Sequence, residues 1–269
     1  MKTELFKFGG TATKKEELIT GIVGAIILLF LWWLVTAVGI VSPKILPNPI
    51  DMLASIGPLF TESELMPNIG YTIGLNLLGY LYALLIAIPL GFCIGIYPWL
   101  RCFFQKIIEA MRFIPMPVTT GLFIAAFGLS FNMKSWFLAV CILIYILPAV
   151  AEAVINLQNP LNAKDNVYLQ TAKTIGMNNW QMFRYVYWPY VMQHIYGNIR
   201  SLTAISYSYV TIAESLNKVG GVGAMISVFS RQSRIPEVYA LLFTIIIIGV
   251  IQDYIMKKLE PKFFPYIKQ

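Results

Sequence analysis

The chain has 269 residues, 58% of them hydrophobic and only 12% charged, with a mean hydropathy of +0.69. Soluble domains carry about 25% charged residues, so the composition argues for one all-α, polytopic membrane domain without a separate soluble domain. The net charge of +7 does not point to nucleic acid, because most of the cations stand at the ends of apolar runs, where they orient a membrane protein.

In chain order, residues 1–17 form a short polar tail of mixed charge, and the first span is expected over 18–41. That run is too long for the apolar region of a cleavable signal. Trp32 and Trp33 read as lipid-facing or packing residues. Residues 42–68 carry Pro43, Pro47, Pro49, Pro58 and Pro67, which predicts a loop with short helical turns. The second span is expected over 69–97, the third over 107–128 and the fourth over 135–156. A polar stretch, 157–188, precedes a polar fifth span at 190–215. A glycine-bearing loop (216–236) then leads to the sixth span at 237–257. Each of these runs is near the length a bilayer-crossing helix needs. No strong internal repeat appears, so an inverted-repeat carrier gains no support.

The cations set an orientation. Lys2, Lys7, Lys14, Lys15, Arg101, Lys106, Arg112, Lys164, Lys173, Arg184, Lys257, Lys258, Lys262 and Lys268 fall on one side of this six-span layout. Lys44, Lys134, Lys218, Arg231 and Arg234 fall on the other, and Arg200 stands inside the fifth span. The positive-inside rule then puts both termini and the 157–188 stretch in the cytoplasm.

That stretch is longer than a connection between two spans requires. Val167, Leu169, Ala172 and Ile175 follow near-helical spacing up to Gly176, which suits a left-handed helix end. Asn178 and Asn179 suit the turn and the start of a second helix. Trp180, Phe183 and Val186 then recur three apart, and the second helical stretch is expected to close at Pro189. Periodicity alone leaves two readings open: a helix that docks in a groove of a soluble partner, or an interfacial helix resting on headgroups.

In the fifth span, Arg200, Thr203, Tyr207, Thr211 and Glu214 fall on one stripe. Arg200 and Glu214, fourteen residues apart, are separated by about 21 Å along a helix and cannot pair with each other. A helix facing only lipid does not carry so many polar groups. The stripe is the candidate lining of a solute pathway at a two-fold axis. The plainer reading is hydroxyls bonded back to the helix and tyrosines packed between helices. Such groups suit a small polar or anionic solute. Arg200 either attracts an anion or anchors the helix at the headgroups.

Other chemistry finds little purchase. No G-x-x-x-x-G-K-[ST] occurs, so Gly220, Gly221 and Gly223 serve a turn or a close approach and not a nucleotide. His194, the only histidine, reads as a packed or interfacial residue. Cys93, Cys102 and Cys141 lack metal-ligand or CxxC spacing and are expected to be buried. Glu109, Glu152 and Asp253 near span ends are expected to be hydrated or paired. No catalytic, cofactor or metal set emerges.

Several segments together resemble one family. Gln170-Thr171-Ala172-Lys173-Thr174-Ile175-Gly176, followed by Phe183, Val186 and Pro189, resembles the EAA-type motif of ABC importer permeases. Leu46-Pro47-Asn48-Pro49, Ile88-Pro89-Leu90-Gly91, Arg112-Phe113-Ile114-Pro115, Gly197-Asn198-Ile199-Arg200 and Ala213-Glu214 are similar to further elements of the nitrate/sulfonate/taurine/bicarbonate-type permeases, in the family's order, over residues 40–265. The departures are Gln170 for the family's Glu, Thr171 for its first Ala, and Trp188 for an aliphatic residue before Pro189.

The resemblance implies a six-helix, type I importer-like permease in the bacterial inner membrane, bounded by membrane lipid and acting as a homodimer. It further implies ABC ATPase subunits, which bind the ATP, docked on Gln170, Thr171, Ala172, Lys173, Gly176, Phe183 and Pro189, and a solute-binding protein on the outer side. Nitrate, bicarbonate, a sulfonate, taurine or a pyrimidine-like nutrient would be the solute. The competing classes are an ATP-independent carrier or channel and an integral membrane enzyme acting on a lipid or quinone.

Overall fold

The computed structural model describes residues 7–217 and 219–265, with only the backbone at Ala163 and Lys164. Lys2, Lys218 and Lys268 of the charge pattern lie outside the described residues, as does the Lys164 side chain. The chain divides into two compact units: residues up to Glu64 with Val228–Leu242, and Leu65–Ser227 with residues from Phe243 onward.

In the first unit, α1 (Lys14–Ala37) opens on a capping box in which Thr13 and Glu16 satisfy each other's backbone donors. None of its residues is buried, as suits a helix whose solvent is lipid. Trp32 is not merely lipid-facing: its indole Nε1 donates to the Pro47 carbonyl at 3.0 Å. The Tyr239 hydroxyl donates to the Ile45 carbonyl at 3.1 Å. The stretch expected as loop holds a regular helix, α2 (Pro49–Thr61), capped by Asn48. Pro49 sits in its first turn, where the missing N–H has no partner to lose. Proline there starts a helix instead of preventing one.

The second unit is built on α3 (Leu65–Ile96) and α6 (Phe131–Gln158). Gly79, Ala83, Ala87, Gly91 and Gly95 recur every fourth residue along α3 and are all buried. They let the two helices approach closely, as small residues do between membrane helices. A Cβ on Gly91 would fall 2.6 Å from Val150 Cβ. The Ile88-Pro89-Leu90-Gly91 element is thus a packing device.

The expected third span is not one straight helix. α4 (Pro98–Met111) and α5 (Met116–Phe127) meet at 106°. Pro115 caps α5 and Pro117 stands in its first turn. The residue before a proline is driven out of the α region, so the break falls between Met111 and Met116.

After α6 come α7 (Ala163–Thr174), the single turn α8 (Asn179–Met182), a π-helical turn (Phe183–Tyr187) and α9 (Trp188–Ser215). The glycine-bearing segment contains α10 (Val222–Arg231), a helix where a loop was expected, and the last helix is α11 (Ile235–Phe263). Among the described residues, α1, α3, α6 and α11 are long and apolar enough to cross a membrane, and α4 and α5 pass the same test only when taken together as one broken span. The 28 residues of α9 span about 42 Å; it has the length of a sixth crossing but is too polar to be found by hydropathy.

Candidate functional site

The first site is the segment between α6 and α9. α7 ends in a Schellman turn: Met177 N–H donates to the Ala172 carbonyl at 3.0 Å, and Gly176 N–H to Lys173 at 3.1 Å. Gly176 takes φ of +76°, the left-handed geometry glycine accepts without cost. Asn178 starts the next helix, its side chain accepting from Gln181 N–H at 2.8 Å while Gln181 Oε1 accepts from Asn178 N–H at 2.9 Å. The second helical stretch does not close at Pro189. It runs from α8 through the π turn into α9, with Trp188 N–H donating back to the Phe183 carbonyl. Proline 189 has no N–H for an i−4 bond, and the wider π turn absorbs the mismatch.

The segment is fastened by polar side chains. Asn166 donates to the carbonyls of Leu157 at 3.2 Å and Gln158 at 3.1 Å, closing the end of α6. Its own Oδ1 then needs a donor, and Gln170 Nε2 supplies one at 2.7 Å. A glutamate at 170 has no proton to give. The replacement of the family's acid by Gln170 is therefore satisfied inside the chain. Gln158 also accepts from Arg101 Nη2 at 3.3 Å and donates to the Tyr187 hydroxyl at 3.1 Å, and Arg101 Nη2 donates to the Gly95 carbonyl as well. This belt ties together the ends of α3, α4 and α6 and the π turn. Sequence reading missed it: Arg101 counted only as an orienting charge, and Gln158 and Tyr187 belong to no motif.

Aromatic packing completes the attachment. Phe183 meets the Phe92 ring edge-on at 5.1 Å, and Trp188 stacks on Phe92 at 5.8 Å. The large ring at 188 fills space against α3, which an aliphatic side chain would not. Leu169 and Ala172 are buried. Val167, Tyr168, Ile175, Trp180 and Tyr185 are exposed, Trp180 at 71%. Thr171, Lys173 and Gly176 are exposed beside them, Gln170 is largely so, and Phe183 and Pro189 are half-buried. The segment thus presents an apolar surface with small and cationic residues around it.

The second site is α9. Within the protomer its stripe turns towards α3 and α11. Thr203, Tyr207 and Glu214 are buried. Thr203 approaches Met256 Sδ at 3.6 Å. The Tyr207 hydroxyl donates to Gln252 Oε1, which also accepts from Asn76 Nδ2 at 3.3 Å. Arg200 Nε lies 2.9 Å from Asp253 Oδ1, an ion pair too poorly angled to be a directed hydrogen bond, and Arg200 Nη1 lies 3.5 Å from Glu260. Thr211, half-buried, donates to the Tyr207 carbonyl at 2.8 Å. Another face of α9, with Gly197, Ser201, Ala204 and Ser208, is exposed.

The remaining candidates resolve simply. His194 is exposed and stacks on Tyr190, one turn back on α9, with centroids 4.0 Å apart. Asp253 is paired, as is Glu109, 3.4 Å from Lys106. Cys141 is buried, but Cys93 and Cys102 are exposed, so the expectation of buried thiols fails for two of the three. No group of His, Cys, Asp or Glu among the described residues is arranged to hold a metal ion.

These features agree with what known proteins share with the chain. Residues 65–265 match the family model described as binding-protein-dependent transport system inner membrane component. The chain is 23% identical over 249 residues to SsuC of Bacillus subtilis (strain 168), a permease protein named for aliphatic sulfonates transport, covering 93% of this chain and 88% of that one. It is 24% identical over 245 residues to the taurine transport system permease protein TauC of Escherichia coli (strain K12), covering 89% and 86%. A chain of the inward-facing MetNI methionine ABC transporter shares the fold, with a TM-score of 0.60 at 14% identity over 79% of this chain and 99% of that one. By family and fold, this chain belongs to the binding-protein-dependent transport system inner membrane components: it is a multi-pass permease subunit of an ABC importer, not an enzyme.

Proposed function

We propose that two copies of this chain form the membrane pathway of an importer for a small polar or anionic solute, of the sulfonate or taurine type that SsuC and TauC are named for. The permease domain covers 18–269, preceded by the 1–17 tail, and sits among membrane lipid in the bacterial inner membrane with both termini cytoplasmic. An ATPase subunit binds the ATP and docks on 157–189, with Gln170, Thr171, Ala172, Lys173, Gly176, Phe183 and Pro189 forming or shaping the contact. A solute-binding protein delivers to the opposite side.

The observation that carries this reading is the exposed apolar surface from Val167 to Tyr185 on a base fastened by hydrogen bonds. Water does not favour a surface that includes Trp180, Ile175 and Tyr168, and a partner that covers it gains a handle on the ends of α3, α4 and α6 together. ATP binding that draws two such handles together would swing the helices between inward and outward access. Along α9, Arg200 and Thr211 border the pathway, while Thr203, Tyr207 and Glu214 hold the helix to α3 and α11 and keep its lining face in register.

The test is reconstitution in liposomes with the cognate ATPase and binding protein. Uptake of taurine or an alkanesulfonate that needs ATP and both partners is the expected result. Uptake by the chain alone would replace the reading with an ATP-independent carrier.

A further inference from the structure

At the end of α9 away from the 163–187 segment, a buried polar cluster grips the loop that leads into α10. We propose that Glu214, with Lys134 and Thr72, is a positioning group that clamps residues 219–223, the turn before α10 and its first two residues, onto the ends of α3, α6 and α9, so that this end of the bundle moves as one piece during transport.

Glu214 and Lys134 are both fully buried, yet they make no direct pair with each other. They hold the loop from opposite sides of its polarity. Lys134 Nζ stands 3.3 Å from the Val219 carbonyl and 3.3 Å from the Tyr71 hydroxyl. Three consecutive amides are taken by an acceptor set. Gly221 N–H donates to Asn68 Oδ1 at 2.7 Å, Val222 N–H to Thr72 Oγ1 at 2.9 Å, and Gly223 N–H to Glu214 Oε2 at 2.8 Å. The Thr72 hydroxyl in turn donates a hydrogen bond to Glu214 Oε1 at 2.9 Å. Buried charges need such partners.

The same geometry explains the glycines that no motif absorbed. A Cβ on Gly221, whose φ is +103°, would land on the Glu214 carboxylate. A Cβ on Gly223 would fall 2.7 Å from the Thr211 carbonyl oxygen and 2.8 Å from Thr211 Cα. The loop is glycine-rich because its backbone lies directly on α9. Thr72 and Glu214 are 142 residues apart in sequence, so the clamp joins the beginning of α3 to the end of α9, with Lys134 adding α6.

A clamp of this kind keeps three helix ends from separating on that side of the membrane. Movement driven from the other end then reaches the loop as a rotation of the whole group, and is not dissipated by the loop slipping.

The proposal rests on the permease reading, and the experiment separates the two. The assembled complex with its ATPase and binding protein is prepared in nanodiscs, as wild type, Thr72→Val and Glu214→Gln. Amide exchange across 219–225 and solute moved per ATP hydrolysed are measured on each. Both variants should exchange at least tenfold faster at Gly221–Gly223. Thr72→Val should also lower solute moved per ATP at least tenfold, with assembly and ATPase rate kept. Unchanged exchange in both variants overturns the clamp. Faster exchange with an unchanged transport-to-ATP ratio overturns its positioning role and leaves only a structural contact. A wild-type complex with no ATP-driven uptake, whose variants still exchange faster, sinks the permease reading and not the clamp.

Discussion

The segment between α6 and α9 and the loop between α9 and α10 are both fastened to helix ends by side-chain hydrogen bonds, but they spend their polarity differently. In the first, neutral amides and an arginine make the fastenings, and large apolar side chains such as Trp180 are left exposed. In the second, a carboxylate and an ammonium are wholly buried and hold backbone groups of their own chain, with Val219 as an exposed apolar side chain beside them. An exposed apolar face asks for a partner chain. A buried charge asks for neighbours in its own chain. The contrast separates a surface made for another protein from a junction made for this one.

Four substitutions would break or sharpen that contrast, taken in falling order of their effect on the stability of the chain by itself. Glu214→Leu strands the Gly223 amide and the Thr72 hydroxyl and removes the carboxylate that balances the buried Lys134 charge, and should cost about 3 kcal/mol, since breaking a buried charged network costs roughly 3–5 kcal/mol; thermal unfolding in detergent reads it. Gly176→Val forces a β-branched residue to positive φ, which costs about 1–2 kcal/mol. A Cβ there meets open space, so the loss is one of backbone shape. ATPase copurification should fall steeply, and Gly176→Asn should restore much of it. Normal assembly and transport in the valine variant would remove Gly176 from the docking role.

Gln170→Glu puts a carboxylate against Asn166 Oδ1 and should destabilise by about 1 kcal/mol, the worth of one hydrogen bond, visible as a lowered melting temperature. Trp180→Ser should change the stability of the isolated chain by less than about 0.5 kcal/mol, as exposed sites do. It should nonetheless weaken ATPase association at least tenfold, because exposed tryptophans make binding hot spots. A variant that unfolds the chain but binds normally would invert the comparison.

Features set by local chemistry were readable from the residues in order. The spans of α3, α6 and α11 follow from apolar length, and the left-handed end at Gly176 and the start at Asn178 follow from backbone preference. Proline was the main source of error because it has two uses. At 49 it starts a helix and at 115–117 it breaks a span, and only the surrounding packing distinguishes them. Pro189 was read as an end, whereas the π turn before it lets the helix continue. α10 was hidden because the glycines ahead of it signal a loop.

The candidate sites were harder still. The α9 stripe was legible as polar, but its direction was not, since the partners Gln252, Asp253 and Met256 lie on α11, far along the chain. Lys134 was counted as a loop charge, although it is buried and bonded to a segment 85 residues away. No periodicity encodes such distant pairings.

The fourfold spacing of small residues on α3 has a mechanical consequence. With Gly91 against Val150 and Gly95 against Val154, the two backbones mesh like a key in a keyway. Sliding α3 along α6 by a fraction of a turn would drive Val150 and Val154 out of the glycine gaps and against the backbone beside them. Small shear between them is thereby resisted, and over such displacements the pair behaves as a single strut. Any swing that carries solute across must pivot around that strut or carry it whole.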